Sequence, residues 1–275
     1  MRDFSSAALP SLRAAAVGLV LLSWSRPAVA QGGEAKVRWA IGNPKVGFCL
    51  HFMMSPEEAA KNLVRGQRLV LARDAAGLPD PVRRVVAEQP EFEGWVGSQL
   101  CVVYPEAIWV NNKRFDRGDG GTPLSVAMWG VSSAGGESEF SIRTLATNSA
   151  PLKRAMEAEL IPMERADIDL SPISESEDER YSFKFDGAQI TLDARARTDS
   201  VNVENIPFPS RAALRGLNNS LWSVAIDLKP TRIGTMPGSL RVQGKHGLGN
   251  VLLRSPVRFV DKVIAGGTGE IRFIR

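Results

Sequence analysis

The chain has 275 residues, a formal net charge of +4 and a hydrophobic fraction of 44%. This length provides ample core for one large domain or two small ones. With only two histidines and two cysteines, the composition argues against a structural zinc site.

The first 30 residues have the layout of a secretory signal peptide. Arg2 and Arg13 precede an uncharged apolar run, residues 14–24, and Ala28-Val29-Ala30 supplies small residues at the cleavage positions. The run is shorter than the roughly 20 residues that a membrane-spanning helix needs. An uncleaved N-terminal anchor is the alternative interpretation. We expect cleavage after Ala30, a periplasmic or extracellular location, and a mature chain (residues 31–275) without a transmembrane span.

Cys49 and Cys101 are the only cysteines, and both lie in apolar, strand-like runs. An even count in an exported chain predicts one disulfide between them. Closing a loop of about 50 residues should stabilise the fold by about 4 kcal/mol in the chain-entropy picture. A reactive thiol or a metal-binding pair is the alternative, and the apolar surroundings disfavour it because burial of this kind suppresses the thiolate.

The first part of the mature chain, residues 31–170, is predicted to be an α+β domain containing the disulfide. Residues 36–54 read as two strands around a turn at Asn43-Pro44. Ser55, Pro56 and Glu58 are typical of a helix start, and Asp80-Pro81 predicts a second helix. Further strands are expected near residues 98–104, 107–115, 124–131 and 138–146, and a third helix over residues 151–160.

An acidic loop, residues 171–179, is the predicted linker to a mostly β domain, residues 180–275. Asp186-Gly187 predicts a hairpin, because this pair favours a two-residue type I′ turn. Residues 210–217 have a helical pattern. Further strand-like runs lie near residues 221–228, 238–245, 249–254, 257–264 and 270–275.

The predicted fold class is therefore mainly β with a few helices (α+β). The N-terminal part is expected to be α+β. The C-terminal part is expected to resemble a β-sandwich or barrel, because Pro and Gly separate its strands at the spacing typical of those folds.

Charge is divided unevenly along the mature chain. Residues 31–204 carry a net charge of −6, whereas residues 205–275 carry +8. A basic sheet attracts anionic polymers or lipid headgroups. Pairing with the acidic part of the chain, or protection of exposed strand edges, explains the same charge without a partner. The candidate face for an anionic partner consists of Arg241, Lys245, Arg254, Arg258, Lys262 and Arg272.

Nucleic acid is not an expected partner of this basic part. The predicted compartment holds little of it, and the aromatic residues do not interleave with the basic ones as they do in proteins that bind single strands.

The stretch FDRGDGG, residues 115–121, contains an Arg-Gly-Asp tripeptide and looks like a calcium loop. Asp116 and Asp119 are three residues apart, and Gly118 occupies the middle ligand position, so the calcium-loop pattern fails. A glycine-rich turn is the preferred interpretation. Its surroundings form a candidate ligand rim, which consists of Trp109, Asn111, Asn112, Phe115, Asp116 and Asp119.

No catalytic signature stands out in the sequence. His51 lies in an apolar strand run and is predicted to be a core histidine rather than a base or a metal ligand. Ser132 and Ser133 are not followed by the glycine of a nucleophile elbow. A glycosidase needs two carboxylates at a set separation across a cleft, and one sequence cannot show that separation. Asp167 and Asp169, which share a strand face, are as good a candidate pair as any other.

These observations predict an exported, non-enzymatic binding or structural protein of the cell envelope or exterior, without a cofactor. In its most specific form, the basic C-terminal sheet engages an anionic polymer or lipid surface. The alternative function is a secreted, carboxylate-dependent hydrolase that acts on a glycan or a peptide.

Export has a direct chemical test. Fractionation of the host cells should place the protein outside the cytosol, and its mass should correspond to residues 31–275 with the two cysteines oxidised. Thiol titration of the denatured, unreduced protein should find no thiol. A chain that retains Met1, or that shows two titratable thiols, would contradict the prediction.

Overall fold

The computed structural model describes residues 37–42, 46–75, 80–172, 178–185, 188–195, 210–227, 230–235, 238–244, 247–255, 258–265 and 269–275. These residues belong to one compact unit, Gly33–Arg275. The predicted signal peptide, the middle of the acidic linker, the turns at Asn43-Pro44 and Asp186-Gly187, and Lys245 lie outside the described residues.

Strands make up most of the described chain, which confirms the predicted mainly β, α+β class. They are β1 (Val37–Gly42), β2 (Val46–Met54), β3 (Arg68–Leu69), β4 (Val96–Tyr104), β5 (Ala107–Val110), β6 (Lys113–Phe115), β7 (Val126–Gly135), β8 (Ser138–Thr147), β9 (Glu164–Arg165), β10 (Asp167–Pro172), β11 (Asp178–Phe185), β12 (Ala188–Arg195), β13 (Arg211–Arg215), β14 (Leu221–Asp227), β15 (Pro230–Thr235), β16 (Gly238–Gln243), β17 (Arg258–Ala265) and β18 (Gly269–Ile274).

The helices of the described chain are short. They are α1 (Pro56–Ala60), α2 (Asp80–Glu88), α3 (Ala150–Ala158) and α4 (Gly247–Arg254), together with 3₁₀ turns at Ala72–Asp74, Pro90–Phe92 and Asp119–Gly121. None of these helices has the length and apolar character needed to cross a bilayer.

The strands form two sheets. The large sheet has the order β15-β17-β2-β4-β7-β8-β13-β14-β18-β1-β5-β6, with β3 paired to β7 and β9 paired to β8. The small sheet is antiparallel and has the order β10-β11-β12-β16. Strands from residues 37–147 and from residues 211–274 thus pair within one large sheet. The division of the chain into two domains at residues 171–179 stays a prediction.

One hydrophobic core lies between the large sheet and the small sheet. Leu50 and Leu100 project from β2 and β4 and pack with Ile190 of β12 and Leu248 of α4. Alternate residues of each strand contribute to this core, as expected for the period of two along a β-strand.

A second core packs around α3. Trp39 of β1 and Phe273 of β18 meet edge to face, with ring centroids 5.4 Å apart. The indole N–H of Trp39 lies 2.8 Å from the sulfur of Met156, which α3 contributes. Val103 of β4 and Met128 of β7 pack against this core from the large sheet.

Several local predictions are confirmed. The β11–β12 hairpin pairs Phe185 directly with Ala188, which leaves two residues for the turn. The Ser55 hydroxyl accepts a hydrogen bond from the backbone N–H of Glu58, as an N-cap does. The disulfide between Cys49 and Cys101 is present, with the two residues directly opposite each other in β2 and β4.

Two local predictions are wrong. The segment at 210–217 contains strand β13, which pairs with β8 and β14, rather than a helix. The segment at 249–254 belongs to helix α4, rather than to a strand, and buries Leu248, Val251 and Leu252 on one side. Short apolar runs fit either period, and here the pairing partners decide the structure.

Gly130 of β7 allows β8 to approach closely. A Cβ at this position would overlap the carbonyl oxygen of Ser141 and the ring of Phe140. We expect Gly130→Ala to lower the free energy of unfolding by about 1–3 kcal/mol, measured by urea denaturation. The control is Gly94→Ala, where a Cβ would meet nothing within 4 Å. Equal stabilities of the two variants would contradict this account of the glycine.

Candidate functional site

The FDRGDGG stretch is a structural loop that holds the start of α3. Asp119 accepts a hydrogen bond from the backbone N–H of Ala150 at 2.8 Å and another from the Arg165 guanidinium at 2.5 Å. Its own backbone N–H donates to the carbonyl of Asn148. Both carboxylate oxygens of the Arg-Gly-Asp aspartate therefore have partners within the protein.

Gly118 of the same loop packs on Asn148. The Asn148 amide donates to the Pro123 carbonyl at 2.7 Å, and its oxygen accepts from the Ser125 N–H at 2.9 Å. A Cβ on Gly118 would overlap this side chain. The glycine is thus required by a close approach within the fold.

The other residues of the candidate rim surround the β5–β6 hairpin. Asn111 and Asn112 form its turn with φ values of 48° and 70°. Trp109 is half-buried with the Arg114 guanidinium over its ring, Phe115 belongs to the second core, and Asp116 pairs with Arg114 at 3.5 Å. A ligand at this rim stays a prediction.

The candidate basic residues lie on several different elements, and a common face formed by them stays a prediction. Arg241 lies on β16 of the small sheet, and Arg254 ends α4. Arg258 and Lys262 lie on β17, whereas Arg272 lies on β18, and six strands of the large sheet separate β17 from β18. Lys245 lies outside the described residues.

A buried polar row crosses the face of the large sheet that points away from the small sheet. It consists of His51 of β2, Gln99 of β4 and Gly130 of β7, which lie directly opposite one another in adjacent strands. Directly opposite residues of antiparallel strands share a face. His51 is only 4% exposed and Gln99 only 8%.

Apolar groups flank the polar row on both sides. Met53, two residues beyond His51, packs with Ala72 and Val86 from the segment between β3 and β4. On the other side lies the Cys49–Cys101 disulfide, followed by Met128. The row is therefore a polar strip within an otherwise apolar face.

Gln99 has an unusual environment. Its side-chain nitrogen is buried and has no hydrogen-bond partner among the described residues. Gly97 lies beside it on the same face and Gly130 lies opposite, so neither position supplies a side chain next to the amide. A buried amide donor without an acceptor costs about 1–3 kcal/mol. Native proteins tolerate such a group where a ligand or a water supplies the acceptor.

The lysines with described side chains do not fit amine chemistry. Lys61, Lys113 and Lys184 are exposed, and Lys153 pairs with Glu157 at 2.5 Å. The hydrogen bond to the Glu58 carboxylate raises the pKa of the Lys61 ammonium. A lysine that attacks a carbonyl needs the opposite shift, because only the uncharged amine is a nucleophile.

At the level of sequence, no family model and no curated protein matches the chain. Among solved structures, the chain is similar to an acetoacetate decarboxylase-like enzyme from Sphingomonas wittichii RW1, with a TM-score of 0.52 and 9% identity over 86% of this chain and 90% of that one. Acetoacetate decarboxylase from Legionella pneumophila matches with a TM-score of 0.47 and 14% identity over 94% and 98% of the two chains. The enduracididine biosynthesis enzyme MppR, complexed with a condensation product of pyruvate, matches with a TM-score of 0.47 and 10% identity over 86% of each chain.

The first of these likenesses shows that the chain has the fold of an acetoacetate decarboxylase-like enzyme. It overturns the prediction of a non-enzymatic binding or structural protein that engages an anionic surface, because that prediction took the β-rich architecture to be a binding scaffold. It gives no support to a carboxylate-dependent hydrolase either. In the structure Asp167 is exposed on β10 of the small sheet.

Sequence reasoning missed Gln99, whose importance comes from its partners across the sheet. The one available signal was the alternation of β4, in which Gly97, Gln99 and Cys101 share a face. Nothing in the sequence alone indicated that Gln99 would lie opposite the only buried histidine among the described side chains.

The Asp119 contacts predict a stability effect. Asp119→Ala removes an acceptor at the start of α3 and the partner of Arg165, so we expect a loss of about 1–2 kcal/mol in the free energy of unfolding. Asp116→Ala is the control, since this exposed carboxylate makes only a 3.5 Å pair with Arg114, and we expect a change within about 0.5 kcal/mol. Chemical denaturation measures both, and an equal effect of the two changes would refute the role of Asp119.

Proposed function

We propose that the chain is an exported enzyme that transfers a proton at the carbon next to the carbonyl group of a small molecule, with the polar row as its active site. The observation that carries the proposal is the pairing of His51 with Gln99. A buried imidazole lies directly opposite a buried amide donor that has no acceptor among the described residues.

These two side chains match the two tasks of proton abstraction next to a carbonyl. An imidazole nitrogen takes the proton, because histidine is the most frequent general base in proteins. The electron pair of the broken C–H bond forms a C=C bond, and the carbonyl π electrons move to the oxygen. The Gln99 N–H donates a hydrogen bond to that oxygen as its negative charge develops. Return of the proton from His51 to carbon restores the keto form.

The fold supports the choice of a carbonyl compound. The enzyme from Sphingomonas wittichii RW1 that shares the fold is described as acetoacetate decarboxylase-like, and acetoacetate is a small oxo acid. Because the identity is only 9%, the roles assigned to His51 and Gln99 come from the geometry of this chain alone.

Export is the second part of the proposal. The signal-peptide pattern of residues 1–30 supports it. The Cys49–Cys101 disulfide supports it as well, because structural disulfides persist mainly in oxidising compartments.

Exchange of carbon-bound hydrogen in D₂O tests the proposed chemistry directly. The purified mature protein should accelerate loss of the ¹H signal of the methyl group next to the ketone in acetone, pyruvate or methyl pyruvate. The rate is followed by NMR and compared with the rate in buffer. We expect His51→Gln to reduce the enzyme-dependent rate at least about 100-fold, since general base catalysis contributes this much. The matched control is His246→Gln, which changes the only other histidine of the chain and should leave the rate unchanged.

Circular dichroism and thermal unfolding establish that each variant is folded before its rate is compared. The proposed activity would be refuted if the protein accelerated the exchange of none of the three compounds. Trapping with borohydride and pyruvate distinguishes the amine route. We expect no lysine adduct by mass spectrometry. A reduced adduct on any lysine would show that an amine, rather than His51, is the reacting group.

A further inference from the structure

We propose that the polar row binds an uncharged carbonyl compound, such as a ketone, an aldehyde or an ester, in preference to a carboxylate anion of the same size. This inference rests on the proposed function for the location of the site, but it concerns the ligand and is tested separately.

The interior formed by the described side chains supplies no fixed counter-charge for an anion. Among the described side chains that are buried, none belongs to lysine, arginine, aspartate or glutamate. The buried polar side chains are neutral hydroxyls and amides, together with His51. A desolvated carboxylate requires a paired cation or a set of donors to offset the hydration that it loses.

Strand register gives the same result for the face that carries the polar row. Among the residues paired in the rows that cross β2 from Gly47 to Met53, none on this face of the described strands β17, β2, β4, β7 and β8 is a lysine or an arginine. Arg143 of β8 lies in the register shift beside Gly130, and its side chain is exposed. Arg258 and Lys262 lie opposite Phe52 and Phe48, and therefore on the other face of the sheet. The acidic residue Asp261 lies opposite Cys49, on the face of the row.

The segment that packs over Met53 also contributes only apolar buried side chains, as far as it is described. Its contacts with Met53 come from Ala72 and Val86, supported by Phe92 and Trp95. Arg73 in the same segment is exposed and pairs with Asp74 at 3.5 Å. The covering segment thus contributes apolar surface to this end of the face, as expected for a site that selects a neutral ligand.

A neutral carbonyl group needs only one hydrogen-bond donor, which the polar row provides. Its oxygen accepts a hydrogen bond from the Gln99 amide, and this bond satisfies the buried donor. An anion, by contrast, would pair only with a protonated His51, and protonation removes the lone pair that a general base uses. An anion that did enter would therefore inhibit proton transfer rather than undergo it.

Matched ligand pairs test the inference. Methyl pyruvate and pyruvate have the same carbon skeleton around the ketone and differ in charge. We expect the mature protein to bind methyl pyruvate at least about 10-fold more tightly at low ionic strength, because the anion loses hydration without a counter-charge. Ligand-observed NMR titration with each compound measures the affinities.

Gln99→Leu removes the donor while keeping a side chain of similar size. We expect a loss of about 10-fold or more in affinity for methyl pyruvate, whereas the fold should be retained because the change removes a buried group without a partner. Gln189→Leu is the control, since Gln189 is exposed on β12 of the small sheet. Thermal unfolding checks that both variants are folded.

The outcomes separate this inference from the proposed function. Binding of methyl pyruvate that depends on Gln99, without exchange of any compound, refutes the enzymatic activity and supports the ligand class. Exchange that depends on His51, together with equal or tighter binding of pyruvate, supports the activity and overturns the ligand class. Binding of methyl pyruvate that is unchanged in Gln99→Leu also overturns it, as does no binding of either compound.

Discussion

The pairing of β2 with β4 is the constraint on which the rest of the structure depends. Nine successive residue pairs, from Val46 with Tyr104 to Met54 with Val96, fix which side chains share a face. One face carries Leu50 and Leu100 into the core beneath the small sheet. A shift of one residue would exchange the two faces, and would place the His51 row in an apolar core. The Cys49–Cys101 disulfide joins one of these pairs covalently and so excludes any other register.

Local chemistry made much of the fold predictable. The cap at Ser55, the β11–β12 hairpin and the disulfide each depend on residues that are near in sequence or on a pair with only one possible partner. The structure of residues 211–215 and 247–254 was harder to predict from the sequence, because a short apolar run has no period long enough to distinguish a strand from a helix. The long-range neighbours of those segments, β8 and the small sheet, decide their structure.

The candidate site was hidden for a related reason. His51 and Gln99 are 48 positions apart in the chain, and only the β2–β4 register brings them together. The charge pattern, which was the most visible feature of the sequence, gave no indication of this pair. Its basic residues are spread over both sheets and α4, whereas the described interior is free of carboxylates, ammonium groups and guanidinium groups. Conspicuous surface residues and the chemically distinctive interior of this protein are therefore different sets.

The order of strands also governs how the chain can fold after synthesis. Strand β1 pairs with β18, and β2 pairs with β17. The backbone hydrogen bonds of β1 and β2 are therefore complete only after the last 18 residues of the chain have been made. Until then, β1 and β2 present unsatisfied backbone edges, which recruit other extended segments. A chain that crosses a membrane N-terminus first would spend that interval exposed on the far side. Such a protein would benefit from a holding chaperone in the receiving compartment, and its yield there would fall as the concentration of incomplete chains rises.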